Sequence, residues 1–409
     1  MAAHPSWTRQ VKSLRVLAIC GTRPEVVKMA PVIQELKGRK TQVECLVCVT
    51  AQHREMLDQV LRVFSLCPDF DFNLMEQGQT LSQIAARVMT EVENLLARLK
   101  PHWVMVQGDT TTVMAASIAA HHSGVRVAHV EAGLRTFDRA NPFPEEMNRI
   151  ITDHVSDLHF APTRLAKQNL LREGIRKESV FITGNSVVDA LEWVLRQQGP
   201  TSSDYVTVFP DYRRGNHGAS KVLPRKRLIL VTAHRRENFG PQVLSICHAI
   251  RQIAARGDVD LVFPVHRNPN IWQPVHEALD DVDGVTLLPP IDYVSLVGLM
   301  SRSCLILTDS GGIQEEAPSL GVPVLVMRHT TERQEALDAG VARLVGTEAA
   351  RIISEVNLLL DDPQAYAKMT RQDNPFGDGH AARRIVDALL TGSCDEFCSG
   401  TGHSESRWA

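Results

Sequence analysis

The sequence predicts an α/β protein made of parallel sheets with helices covering both faces. Three observations carry this. Short apolar runs of strand length alternate with helix-length amphipathic segments nearly throughout. The runs are continuously apolar, as strands buried on both faces should be. The alternation breaks once, from Gln197 to Lys226, where Gly, Pro, Ser, Tyr and Arg gather without a period, so two α/β halves are expected around a linker or surface insertion at 197–226.

In chain order, the first half opens with the strand LRVLAIC and the helix VVKMAPVIQELKG. The strand VECLVCV, the long helix LSQIAARVMTEVENLLARLK and the strands WVMVQ, VRVAHV and LHFA follow. A helix over 185–196 leads to the junction. The second half offers RLILVTA, DLVFPV, VTLLP, CLILTD and VPVLVM as strands, and a last helix is expected near 381–390.

Bulk properties narrow the function. A chain of 409 residues has room for two or three domains with ample core. Net charge is −3 with no long basic run, which argues against a nucleic-acid partner. No apolar run approaches the length that spans a bilayer, and MAAHPSWTRQVKS lacks the apolar core of a secretory signal, so a cytoplasmic protein without membrane attachment is expected. Cys45 and Cys48 form a CxxC inside an apparent strand, and Cys394 and Cys398 lie in a polar tail. Neither pair has a second pair at zinc-site spacing, so structural thiols rather than metal ligands or disulfides are expected.

Ligands of open α/β sheets lie beyond the carboxyl ends of the strands. Polar groups recur there: Gly21-Thr22-Arg23-Pro24-Glu25 and Lys28, Gly108-Asp109, Glu131 to Arg135, His234 to Glu237, His266, and Ser310-Gly311-Gly312. Together they predict a cleft that holds a polyanionic ligand and performs chemistry on it.

In GTRPEVVKMAP, Gly21 allows a tight turn, Pro24 suits a first helical turn, and Arg23 can reach a diphosphate; a capped helix with surface cations is the plainer reading. The stretch matches neither GxxxxGK[ST] nor GxGxxG, so no nicotinamide fingerprint is present. Asp109 in GDTTT is either a helix cap or a site carboxylate. Glu131 stands in the short turn after a hydrophobic strand, where a solvated face is a poor explanation. Glu145, Glu146 and Arg149 fit a helix start with a Glu–Arg pair or a second acidic site group. His234 precedes a Glu/Arg cluster at a strand end. Ser310, Gly311 and Gly312 form a strand–turn–helix junction suited to a phosphate, and Glu316, one turn later, suits ribose hydroxyls. The alternative there is a tight turn with dipole-complementing acids.

With these motifs in view, the chain resembles the bacterial non-hydrolysing UDP-N-acetylglucosamine 2-epimerase family from about Leu14 to Leu390. The likeness rests on GTRPEVVKMAP, TAQHREMLDQVL, GDTTT, HVEAGLRT, PEEMNR, FITGNSVVDAL, HRREN, PVHRNPN, TDSGGIQEEAPSLGVPVLVMR, TTER and NPFGDG in that order. The resemblance implies a GT-B fold: two Rossmann-like domains with a cleft between them. It places the first domain at 14–184, completed by a C-terminal helix at about 378–392, and a UDP-binding second domain at 185–371. It also implies Asp109, Glu131, Glu145 and His234 as catalytic groups. Arg23, Lys28, Arg149, Ser310, Gly311, Gly312, Glu316 and Arg333 are implied as substrate-binding. Gln52, Gln79 and His266 are candidates for a second-substrate site. No metal or other cofactor is implied, the partner is a UDP-sugar, and a homodimer is the family expectation.

The implied reaction breaks the bond from carbon 1 to UDP, passes through 2-acetamidoglucal, and returns UDP with a proton on the other face of carbon 2. The chain departs from many members at His329 and Gln334, beside an intact TTER, and in its insertion and tail. A hydrolysing relative, an epimerase of diacetamido-uronic acids, a glycosyltransferase and a non-catalytic sugar-nucleotide binder are the competing readings. The intact GTRPE weighs against the first, the EAGLRT stretch against the second, and the acid–base set against the last two.

Overall fold

A computed structural model describes residues 13–50, 54–74, 76, 78–197 and 226–399. The residues fall into two compact units. One runs to Trp193 and includes Phe376–Cys398; the other is Val194–Pro375. Most of the expected insertion, 198–225, and Gln52 lie outside the described residues.

The first unit contains β1 (Leu14–Cys20), α1 (Arg23–Gly38), β2 (Val43–Val49), α2 (Arg54–Val63), β3 (Phe70–Asp71), α3 (Leu81–Leu99) and β4 (Trp103–Gln107). It continues through α4 (Thr111–His122), β5 (Arg126–Val130), α5 (Glu145–Val155), β6 (Leu158–Ala161), α6 (Arg164–Arg172), β7 (Val180–Ile182) and α7 (Ser186–Gln197). Its described strands form a seven-stranded parallel sheet in the order β3-β2-β1-β4-β5-β6-β7.

The second unit contains β8 (Arg227–Thr232), α8 (Pro241–Ala254), β9 (Val259–Pro264), α9 (Pro269–Leu279), β10 (Val285–Leu288), α10 (Tyr293–Arg302) and β11 (Leu305–Thr308). Then come α11 (Gly311–Glu316), β12 (Val324–Val326), α12 (Gln334–Asp338), β13 (Ala342–Leu344), α13 (Ala349–Asp361) and α14 (Pro363–Thr370). Its sheet runs β10-β9-β8-β11-β12-β13, all parallel. Both sheets thus have the doubly wound order, which reverses direction between the first and fourth strands of each unit. Among the described residues, no helix is long and apolar enough to cross a membrane.

Local chemistry explains the elements. Thr80 opens α3 with a full capping box to Gln83, and Asp292 caps α10 through Ser295. Leu17, Ile19, Val104, Val106 and Val127 bury one sheet face against Val92, Leu96, Ala116 and Ala120 of α3 and α4. The final helix α15 (Ala381–Thr391) packs in the first unit, where Asp189 of α7 accepts the amides of Ala381 and Ala382 at 3.1 and 2.9 Å and so caps it. Beyond it the Cys-bearing tail runs along the edge strand β7. The Phe397 amide donates to the Ile182 carbonyl at 2.8 Å, and Glu396 pairs with Lys167 at 2.5 Å. This covers an edge that would otherwise present unpaired backbone. Cys45 and Cys48 are free thiols on β2, and burial pushes both up to about 12.

Candidate active site

In the first unit the chain leaves β1 at Gly21 and β4 at Gly108, on the two strands that flank the switch point. Gly21 has no room for a side chain, because a Cβ there would lie 2.9 Å from Thr112 on α4. Arg23 opens α1, and Glu25 on its first turn folds back. Glu25 accepts the Gly21 amide at 2.7 Å and the Thr22 hydroxyl at 2.8 Å. Burial pushes the Glu25 carboxyl from 4.5 up to about 7; those hydrogen bonds pull it down, and Asp109 adds a smaller upward push.

The folded chain therefore holds a proton on Glu25 that the unfolded chain releases. Its contribution to stability is full below pH 4.5 and is lost as pH rises through about 7. Denaturant unfolding of the wild type and of Glu25→Gln should show the wild type losing stability relative to the variant across that window. A difference constant with pH would mean that Glu25 titrates normally.

The first two turns of α1 and the ends of β4 and β5 bring the remaining groups together. Lys28, one helical turn after Glu25, forms a buried ion pair with Glu131. Asn185 donates to the same carboxylate oxygen at 2.7 Å. Glu131 has φ +67°, and its amide and that of Ala132 both bond to the Phe160 carbonyl, which ends β5 with a local kink. Asp109 pairs with Arg149 of α5 at 2.5 Å, and Asn148 donates to the Asp109 carbonyl at 2.9 Å. Arg149 also reaches Glu146 at 3.2 Å.

Neighbouring charged residues of the same motifs have structural work. Glu146 accepts the amides of Thr136 and Phe137 and so fixes the loop before α5. By contrast, one oxygen of Glu145, one residue earlier, is buried with no hydrogen-bond partner among the described residues. Arg135 is taken up by Asp153 at 2.7 Å and Glu173 at 2.6 Å. Asp153 also accepts from His129, whose other nitrogen faces the Gly108 carbonyl at 2.7 Å.

In the second unit the switch point falls between β8 and β11, which are followed by His234 and by Asp309-Ser310. Asp309 is buried and organises the junction. Its Oδ2 accepts the amides of His234 and Arg235, both at 2.8 Å, and the Asn238 side chain at 2.9 Å. Its Oδ1 lies 2.9 Å from His234 Nδ1. Burial raises the Asp309 carboxyl, but His234 and the backbone donors outweigh it and hold the group below its ordinary range.

Gly311 lies close to Arg333: a Cβ would crowd the guanidinium at 3.0 Å. That guanidinium is held by Glu315 at 2.9 Å and Glu332 at 2.6 Å. Glu316 is buried and accepts the Tyr293 hydroxyl at 2.6 Å. The His266 ring lies 6.2 Å from that of His234. Gln79, in the first unit, accepts the Glu76 amide and donates to the Leu74 carbonyl. His329 and Gln334, the two departures, are both exposed.

The structure thus joins Lys28 to Glu131 and Asp109 to Arg149, with Glu145 on the Arg149 helix. It gathers His234, Ser310 and Gly311 with Arg333, and Glu316, around the second switch point. Glu25, Asn185, Asp309, Tyr293 and Glu332 were not singled out from sequence. All but Tyr293 stand inside quoted motifs; Tyr293 carries no local signal.

Two doubly wound units, each with charged groups at its switch point, define the GT-B class of fold. The sequence profile described as UDP-N-acetylglucosamine 2-epimerase matches residues 34–390, and the chain belongs to that family. It is 51% identical over 379 residues to UDP-N-acetylglucosamine 2-epimerase of Escherichia coli K12, covering 92% of this chain and 98% of that one. The Campylobacter jejuni protein of the same name is 45% identical over 383 residues, covering 93% of this chain and 99% of that one. Among solved structures, the Neisseria meningitidis UDP-GlcNAc 2-epimerase bound to UDP-GlcNAc superimposes with a TM-score of 0.85 at 45% identity, covering 92% of this chain and all of that one. The Methanocaldococcus jannaschii enzyme in complex with UDP-GlcNAc and UDP gives 0.77 at 34% identity, covering 92% of this chain and 99% of that one.

Proposed function

We propose that this chain is a non-hydrolysing UDP-N-acetylglucosamine 2-epimerase. It interconverts UDP-N-acetylglucosamine and UDP-N-acetylmannosamine by elimination and re-addition of UDP through 2-acetamidoglucal. The observation that carries this reading is the first unit's acid–base cluster, in which Glu131 is tied to Lys28 and Asp109 to Arg149. Family membership at about half identity supports the substrate.

Carbon 2 has no neighbouring carbonyl, so its proton is not acidic enough for simple removal and return. Loss of that proton to a base accompanies cleavage of the carbon 1–oxygen bond, and the electron pair of the C–H bond becomes the carbon 1–carbon 2 double bond. UDP leaves with the bonding electrons. In the return step a proton arrives at carbon 2 on the opposite face and UDP adds to carbon 1. Asp109, Glu131, Glu145 and His234 supply the acid and base groups. Lys28 and Arg149 pair with the carboxylates and fix their positions, and cationic groups favour the charge on the leaving diphosphate.

In this reading Ser310, Gly311 and Gly312 receive the diphosphate, with Arg23, His234 and Arg333 contributing, and Glu316 takes the ribose hydroxyls. His266 beside His234 supports a second-substrate contact there, with Gln79 and Gln52 the other proposed members. A cytoplasmic homodimer and supply of N-acetylmannosamine units to a surface polysaccharide complete the proposal.

Glu316→Ala should weaken UDP binding about 10- to 100-fold by calorimetry, the effect of removing the acceptor proposed for the ribose hydroxyls. Equal affinity would remove Glu316 from the nucleotide site. The activity itself is tested by incubating the purified chain with UDP-N-acetylglucosamine and separating products. UDP-N-acetylmannosamine is expected; free N-acetylmannosamine with UDP would assign a hydrolytic reaction instead.

A further inference from the structure

Two of the motifs that carry the family likeness, FITGNSVVDAL and NPFGDG, have no part in the reaction as described so far. In the folded chain they meet. We propose that Asn185 is a positioning residue for Glu131, an amide donor that fixes the carboxylate and is itself buttressed by the turn at Phe376–Gly377. The inference rests on the proposed place of Glu131 in the acid–base set.

Asn185 is buried, and all of its polar groups are committed. Its side-chain Nδ2 donates to Glu131 Oε2 at 2.7 Å. Its Oδ1 accepts the Val187 amide at 3.1 Å, which makes it the cap of α7. Its own amide donates to the Phe376 carbonyl at 2.6 Å, and its carbonyl accepts from Val188. The amide group therefore cannot flip: Oδ1 is fixed by a backbone donor, so Nδ2 must face Glu131.

The buttress depends on two glycines. Gly184 has φ +81°, and a Cβ on it would lie 3.4 Å from the Gly377 Cα. A Cβ on Gly377 would meet Val188 at 3.1 Å and the Asn185 carbonyl at 3.3 Å. Gly184 needs its positive φ and Gly377 its lack of a side chain for the two turns to meet. The segment returning from the C-terminal part of the chain thus holds the Asn185 backbone through the Phe376 carbonyl.

Glu131 sits at positive φ, a strained backbone position of the kind that surrounding contacts must hold. Lys28 supplies charge on a flexible stem. The amide of Asn185, on a capped helix end, supplies direction.

A cap and a positioning donor respond differently to substitution, and this makes the test. Aspartate is as good a helix cap as asparagine but has no N–H to offer, and it would set a second negative charge against Glu131. We expect Asn185→Asp to lower kcat by about 100-fold or more, with KM and UDP affinity within about twofold of wild type, and to lower Tm, because it buries a second carboxylate beside Glu131. Asn185→Ser, which also keeps a capping oxygen and adds no charge, should lower kcat by about 10-fold with the same split. Should the Asp variant fail to fold, the Ser variant carries the comparison. A kcat within about threefold of wild type in whichever variants fold would reduce Asn185 to a helix cap and overturn the proposal. Wild-type protein is measured alongside: if it does not epimerise UDP-N-acetylglucosamine, the functional reading fails, whereas an active wild type with unaffected variants sinks the positioning role alone.

Discussion

Asp109→Asn is expected to lower kcat by about 10³- to 10⁴-fold while UDP affinity stays within about twofold. The substitution keeps the shape of the side chain and one acceptor toward Arg149, but removes the charge and the ability to take or give a proton. The predicted separation of kcat from UDP binding follows from where the groups lie. Asp109 belongs to the first unit, and most of the proposed nucleotide contacts belong to the second. Arg149 keeps Glu146 at 3.2 Å in the variant, so the loss of stability should be small beside the loss of rate. Steady-state kinetics with calorimetry of UDP binding decides the matter. Unchanged turnover would take Asp109 out of the reaction.

Glu131→Gln is expected to damage both rate and stability. Lys28 is buried and its ammonium faces Glu131, so neutralising the acid removes a charge that offsets a poorly solvated cation. Breaking one side of a buried pair costs about 3–5 kcal/mol, which lowers Tm by on the order of 10 °C in a unit of this size. Turnover should fall to the limit of detection. The double variant Lys28→Met/Glu131→Gln separates the two effects, because removing the buried cation should restore most of the Tm and none of the activity. A double variant no more stable than Glu131→Gln alone would show that the pair does not couple. Differential scanning calorimetry on the three proteins reads this directly.

Much of the fold was legible because buried parallel strands are apolar throughout and long enough to register. LRVLAIC, VECLVCV and RLILVT are strands where the runs stood. The strands missed are the shortest ones. Phe70–Asp71, Val180–Ile182 and Ala342–Leu344 have two or three residues and lie at sheet edges. Segments that short show no period, and only the neighbouring strand tells them to extend.

At the site, sequence could name the residues after each strand but could not pair them. Glu145 and Glu146 are adjacent and chemically alike. Successive side chains on a helix point about 100° apart, which sends Glu146 to the loop amides and leaves a Glu145 oxygen without a partner among the described residues. Arg135 stood in the right motif and turned out to serve Asp153 and Glu173. Asn185 was invisible for the opposite reason: its role depends on Phe376, nearly two hundred residues away in sequence, and no local pattern encodes that contact.

The central claim is that carbon 2 loses its proton and regains one from solvent while UDP departs and returns. Proton NMR of the purified chain with UDP-N-acetylglucosamine in heavy water, with no cofactor added, tests it most directly. The account predicts UDP-N-acetylmannosamine carrying deuterium at carbon 2, and deuterium entering the recovered substrate as the reaction runs both ways. UDP-N-acetylmannosamine that keeps its original proton at carbon 2, or a spectrum that does not change, would contradict it.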